Sequence, residues 1–224
     1  MINMDEVSIF DYISEKTRTF EGMLVKDIMT HYNIVSKAKS INFILISKML
    51  NLANMDNNFN NMIKQSIVFK TVNICNNKVR ESMSFPKIDF FNMLNNNWMN
   101  SDIYNEFGKK KIILFLFKKT QNNTIFLGYT FIVINKQDLY DIFLVWERVK
   151  YLVIENQLFI GGNNGFSVLN FPKKNESNVA HIRPHDTNSK EGKVLLPSGK
   201  RIINYCFWLN NTFIEKKLID GGII

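Results

Sequence analysis

Lys109-Lys110-Lys111-Ile112-Ile113-Leu114-Phe115-Leu116-Phe117-Lys118-Lys119 is the stretch on which the fold turns. Its six central residues are all apolar and are bracketed by lysines. A run this short is strand length, and apolarity on both faces marks a strand buried on both sides. Thr124–Ile134 reads as a second such strand. Gln121-Asn122-Asn123 lies between them as the turn, so the two should pair antiparallel. The flanking lysines suit a guarded strand edge, and they also suit contacts to phosphate.

Working outward, the first 55 residues read as helical. Val7, Phe10 and Ile13 follow helical spacing, and Asp5 is placed to cap or to meet the helix dipole. A short second segment holds Met23, Ile28 and Met29. A third, from about Lys37 to Ala53, places Ile41, Ile44, Leu45, Met49 and Leu52 on one broad face. From Ser66 the pattern changes. Ile67, Phe69, Val72 and Ile74 are β-prone, Asn76-Asn77 punctuates them, and Val79–Phe85 continues in extended form, so the pair reads as a hairpin. Asp89–Phe107 reads as mostly helical and Asp138–Val153 as a helix. Gly161-Gly162-Asn163-Asn164-Gly165 reads as a loop. Neither Lys-Ser nor Lys-Thr follows it, so it is not a phosphate loop. The expected class is α+β or α/β: a mixed sheet flanked by helices, with a helical N-terminal region. The expected division is a helical region 1–55 packed on a core 56–224, or one continuous domain 1–224.

Composition narrows the partners. The 224 residues are 46% hydrophobic and 21% charged, enough for a sizeable core and unlike a disordered chain. The net charge of +8 and the pI near 9.4 favour an anionic partner, nucleic acid or an acidic membrane surface. No segment reaches the roughly 18 apolar residues that a spanning helix needs. Asp5 and Glu6 precede any apolar stretch, unlike a signal peptide. The expectation is a cytoplasmic protein without a membrane partner. Cys75 and Cys206 each lie in an apolar run and read as buried free thiols. Most of the 19 Phe read as core, Phe115, Phe117, Phe126 and Phe131 among them.

The segment richest in chemistry is Val179-Ala180-His181-Ile182-Arg183-Pro184-His185-Asp186-Thr187-Asn188-Ser189-Lys190. His181 and His185 have the spacing of a helical zinc pair. Pro184 argues against a helix here, because it displaces Arg183 from helical φ/ψ and removes a donor. A strand over 179–183 running into a polar loop fits better. Arg183 can then make a bidentate contact to guanine or to phosphate, and Asn188 a bidentate contact to adenine. A salt-bridged loop arginine satisfies the same pattern.

This segment resembles the base-reading loop of MutH-like, GATC-recognising endonucleases, which carry Arg-Pro, then Lys or His, then Asn. Cys206-Phe207-Trp208-Leu209-Asn210 is similar to that family's C-terminal aromatic segment. Glu81-Ser82-Met83-Ser84-Phe85, Trp98, Ser101-Asp102-Ile103-Tyr104 and Ile113–Lys118 resemble blocks of the Sau-three-A-type enzymes, in the family's order. The resemblance runs from about residue 30 to 217. It implies a restriction-endonuclease-like (MutH-like) fold and a double-stranded DNA partner. Arg183, Pro184 and His185 would face the bases, with Asn188 and Lys190 nearby. Trp208 would stand where relatives have a Tyr near the adenine that methylation marks; it keeps the bulk and loses the hydroxyl.

The same resemblance implies where cleavage chemistry would lie. Magnesium needs carboxylates, and a lysine helps to activate water. On Ile67-Val68-Phe69-Lys70-Thr71, Lys70 takes the lysine position, but Val68 stands where the Glu should be. Asp56 is the acid nearest the expected Asp position. Lys70 and Asp56 read as remnants, with no metal site and no cofactor for this chain. The pattern is that of the second, non-catalytic unit of a duplicated enzyme, which would serve a catalytic endonuclease domain or subunit. Two alternatives stand beside it. One is an active magnesium-dependent endonuclease cutting at GATC, with acids supplied by Asp186 and Glu191-Gly192-Lys193 or by Glu81 and Asp89. The other is a structural or protein-interaction domain without DNA binding.

Overall fold

The computed structural model describes residues 4–162, 165–185 and 193–224, with side chains from Ile9 onward. In chain order the helices are α1 (Met4–Thr17), α2 (Val25–His31), α3 (Ile41–Met49), α4 (Asn57–Ser66), α5 (Phe90–Asn95), α6 (Asp102–Tyr104), α7 (Lys136–Ile154) and α8 (Asn211–Asp220). The strands are β1 (Ile67–Cys75), β2 (Lys78–Val79), β3 (Met83–Lys87), β4 (Lys111–Lys119), β5 (Thr124–Ile132), β6 (Ile160–Gly161), β7 (Ser167–Val168), β8 (Ala180–Pro184), β9 (Lys193–Leu195), β10 (Arg201–Ile203) and β11 (Tyr205–Leu209). They form two compact units. One holds residues 1–80, 110–133 and 224; the other holds 81–109 and 134–223. Among the described residues no helix is long and apolar enough to cross a membrane.

The first unit is built on a four-stranded mixed sheet in the order β2-β1-β4-β5. β4 is the strand anticipated from its apolar run, and Ile112–Phe117 are all buried. It pairs antiparallel with β5, as the turn between them predicts. Thr120 and Asn123 close that turn through Thr120 N–H donating to Asn123 O at 2.9 Å. On its other side β4 pairs in parallel with β1 over eight residues, from Ile67 opposite Lys111 to Ile74 opposite Lys118. Gly128 lies opposite Leu116, where the β4–β5 register shifts. Its φ of +102° is a conformation that favours glycine.

The expected hairpin of Ile67–Ile74 with Val79–Phe85 is mostly not formed. Only Ile74–Val79 and Cys75–Lys78 pair, around Asn76 and Asn77. Both asparagines have φ near +50° (52° and 54°), the backbone a tight two-residue hairpin demands. An apolar strand such as β4 needs neighbours on both edges, and β1 meets that need. β3 instead takes the edge of another sheet, where Pro86 forfeits no ladder bond that a central strand would need.

Helices α1 to α4 supply a core with Ile113, Phe115, Phe117 and Phe126 through Ile9, Ile13, Ile28, Leu45, Ile46 and Ile63. α4 was not foreseen. Asp56 caps it, accepting from the N–H groups of Asn58 and Phe59 at 2.9 and 3.2 Å. Phe131, expected in the core, is 55% exposed. β5 is an edge strand, and one of its faces is open.

The second unit holds a three-stranded antiparallel sheet in the order β3-β11-β8. α7 starts at a capping box formed by Asn135 and Asp138. The Asp138 carboxylate also receives Lys217 of α8 at 2.6 Å in a largely buried ion pair. Phe171 packs between Phe90 (6.2 Å, stacked) and Tyr205 (4.9 Å, edge-on). The Tyr205 hydroxyl accepts the Val168 N–H at 2.6 Å. Both cysteines are free thiols, Cys206 buried and Cys75 half-buried.

Candidate nucleic-acid interface

β11 lies between β8 and β3. Across the β8–β11 ladder Cys206 faces Arg183, Trp208 faces His181 and Leu209 faces Ala180. Side chains alternate between faces along a strand, and directly opposed residues share a face. Arg183, His181, Cys206 and Trp208 therefore lie on one face; Ile182, Phe207 and Leu209 lie on the other. The expected strand over 179–183 is present as Ala180–Pro184, which rules out the helical His181/His185 pair.

Arg183 and Pro184 are exposed, and β8 is an edge strand, the position a proline tolerates. The Arg183 guanidinium lies 4.7 Å from the centre of the Trp208 ring. Stacking on an indole holds the planar fork in place while its edge stays open to an acceptor. His185 is exposed, and its backbone N–H donates to Asn204 O at 2.9 Å. Asn188 and Lys190 lie outside the described residues, as do Asp186, Glu191 and Gly192.

Beneath the stack is a buried polar chain that sequence reasoning did not anticipate. Asn210 donates through its amide to Ser177 O at 2.6 Å. That bond turns its Oδ1 toward His181 Nδ1, 2.5 Å away. Nδ1 therefore carries the proton, and Nε2 is a bare acceptor. His181 is 2% exposed. Burial pushes the imidazole's pKa down; the Asn210 bond pulls it back up, and the charges of Arg183 and Lys174 push it further down. On balance these effects favour the neutral ring. His181 Nε2 and Trp208 Nε1 are both buried without a protein hydrogen-bond partner among the described residues. The signal in the sequence was the alternation itself: His181 lies two residues before Arg183, and Asn210 two after Trp208, so all four follow one face.

The candidate magnesium position lies in the other unit. Val68 and Lys70 share a face of β1, opposite Ile112 and Leu114 of β4. Lys70 is half-buried and engaged by a neighbour. Val68 offers no oxygen to a hard cation, and the Asp56 carboxylate caps α4. Asp89, weighed for an alternative site, caps α5 by accepting from Asn92 N–H at 3.0 Å. Among the described residues no three His, Cys, Asp or Glu side chains gather to hold a metal. These residues do not fit a magnesium centre.

The architecture is thus a mixed α+β fold whose mixed sheet is flanked by helices, compatible with a restriction-endonuclease-like fold. No family model matches the chain. A match to a curated protein gives the relationship: the chain is 26% identical, over 256 aligned residues, to the type II restriction enzyme Sau3AI of Staphylococcus aureus. The match covers 96% of this chain and 52% of that enzyme, so the chain spans about half the length of the relative.

Proposed function

We propose that the chain binds double-stranded DNA at a GATC-like site, as the non-catalytic effector unit of a MutH-like type II restriction system. The observation that carries this reading is the Arg183 guanidinium stacked on Trp208 at the exposed end of β8. A bidentate fork held against an aromatic plane suits a guanine edge, and such a contact discriminates between bases. The similarity to a type II restriction enzyme over nearly the whole chain supports the choice of DNA as partner. The +8 charge supports it through phosphate attraction, the larger share of affinity.

In this reading Arg183 and Asn188 read bases, Pro184 and His185 face them, and Lys190 lies nearby. Trp208 is the platform. Val68 in place of a carboxylate makes this unit dependent on a catalytic endonuclease domain or subunit, and it carries no cofactor of its own. A cytoplasmic location goes with the same reading.

A gel-shift titration tests it, using a GATC duplex and a scrambled duplex at two salt concentrations, with magnesium present and the product sized. Selective retention of the GATC duplex without cleavage is expected. Equal retention of both duplexes overturns the base-reading role. Cutting at GATC overturns the non-catalytic one.

A further inference from the structure

β1 and β4 lie side by side and parallel, and each turns back at its C-terminal end, β1 into β2 and β4 into β5. Parallel pairing therefore brings both turns to the same end of the first sheet. Ile74 stands opposite Lys118, so Asn76-Asn77 and Gln121-Asn122-Asn123 emerge as neighbours. Between them opens a hollow of about 820 Å³, bordered by Asn76, Asn77, Lys118, Lys119, Gln121 and Asn122. Neither an apolar nor an acidic side chain lines it among the described residues. Both turns are braced. Asn76 and Asn77 hold the positive φ of a tight hairpin. The Thr120 hydroxyl donates to Asn123 O and accepts the Asn123 N–H, each at 3.1 Å.

The charge of the chain is concentrated on these two hairpins. Residues 67–80 and 110–133 hold seven Lys and Arg and no Asp or Glu. These 38 of the 224 residues thus carry +7 of the chain's +8. Of the seven, Lys78, Arg80, Lys118 and Lys119 stand at the turn end of the sheet, and all four are exposed. Lysines often guard a sheet edge. β4 is a central strand, so Lys118 and Lys119 protect no edge.

Pockets for small molecules are largely apolar and enclosed. This hollow is polar throughout and open to solvent, a shape that admits a polymer running on past it. Ammonium and amide donors with no carboxylate among them suit phosphate oxygens. We propose that the paired turns hold the sugar-phosphate backbone of double-stranded DNA whatever its sequence, with Lys118 and Lys119 on phosphate oxygens and the Asn and Gln amides beside them. The inference rests on duplex DNA being the partner, as in the reading above, and needs none of that reading's base selectivity.

Fluorescence-anisotropy titrations of the full chain test it, with labelled GATC and scrambled duplexes from about 50 to 200 mM salt. Lys118→Ala with Lys119→Ala should weaken binding of both duplexes by the same factor, about tenfold, and make the salt dependence shallower by about two ions. Lys118→Arg with Lys119→Arg keeps the charge and should bind as the unaltered chain does. Lys37→Ala with Lys39→Ala removes the same charge from another exposed pair of the same unit and should change binding far less. The proposal is overturned if the Lys118/Lys119 alanine pair binds normally, if the Lys37/Lys39 pair loses as much, or if the loss is confined to the GATC duplex. Equal binding of the two duplexes by the unaltered chain would instead remove base reading by Arg183 and leave the paired turns standing as a backbone site.

Discussion

The two sheets handle polar side chains in opposite ways. In the four-stranded sheet Ile112–Phe117 are buried on both faces, and Val68 lies opposite Ile112 on the neighbouring strand. In the three-stranded sheet one face keeps His181 and Asn210 deep inside and Arg183 at the surface. Burying a polar group without a partner costs free energy, so such groups persist where something else uses them. The first sheet works as scaffold. The second keeps a bonded polar pair, His181 and Asn210, on the face that also carries Arg183.

Truncation should expose that contrast. Phe115 is fully buried in the first sheet. Phe115→Ala should cost about 3–5 kcal/mol by transfer and cavity terms, read as a lower midpoint in urea. If it costs less than a surface change, the first sheet is not the principal core of its unit. In the second sheet Asn210→Ala strands His181 Nδ1–H and Ser177 O, so a loss of about 1–3 kcal/mol is expected. An unchanged melting curve would show that the chain of bonds contributes nothing.

Arg183→Ala should leave the melting temperature nearly unmoved. It should instead relax discrimination at one base pair by about 1–3 kcal/mol in competition gel shifts. Preserved discrimination would remove Arg183 from base reading. Asp56→Ala should destabilise by about 1 kcal/mol, the worth of an N-cap, with no change in any magnesium response. A lost magnesium response in that variant would mean that Asp56 does more than cap.

The smallest effect concerns pH. An unfolded histidine titrates near about 6.5, and folded His181 titrates lower. Stability tied to its neutral ring is therefore fully present above that value and falls as the pH drops below it. Urea melts on either side of pH about 6.5 should show the decline, and His181→Asn should flatten it. Asparagine keeps a donor near Asn210 and cannot titrate.

Sequence legibility followed the range of the forces involved. β4, β5 and α7 were readable because six apolar residues in a row, or apolar residues at helical spacing, leave few options. The partner of β1 was not. Sequence proximity favours the Val79–Phe85 hairpin, and only the demand of β4 for two neighbours moves β1 to a strand 36 residues further on. α4 was missed because Asn57-Asn58-Phe59-Asn60-Asn61 looks like a loop until Asp56 is recognised as its cap. At the site, Arg183, Pro184 and Trp208 stood out singly. Their assembly with His181 and Asn210 depends on the β8–β11 register, which no local pattern encodes.

The chain leaves the first unit after Arg80 and returns at Lys110, so each unit is assembled from separate stretches of sequence. β1 can join β4 only after the intervening segment has emerged from the ribosome. The first sheet is therefore a late product of translation, with the slow closure that distant strand pairing brings. No single proteolytic cut divides the chain into one intact unit and the other: a nick near residue 110 leaves each fragment with part of both, and one near residue 80 splits the first unit. Truncation mapping by halves would therefore cut through the core of at least one unit and yield pieces that do not fold as the whole chain does.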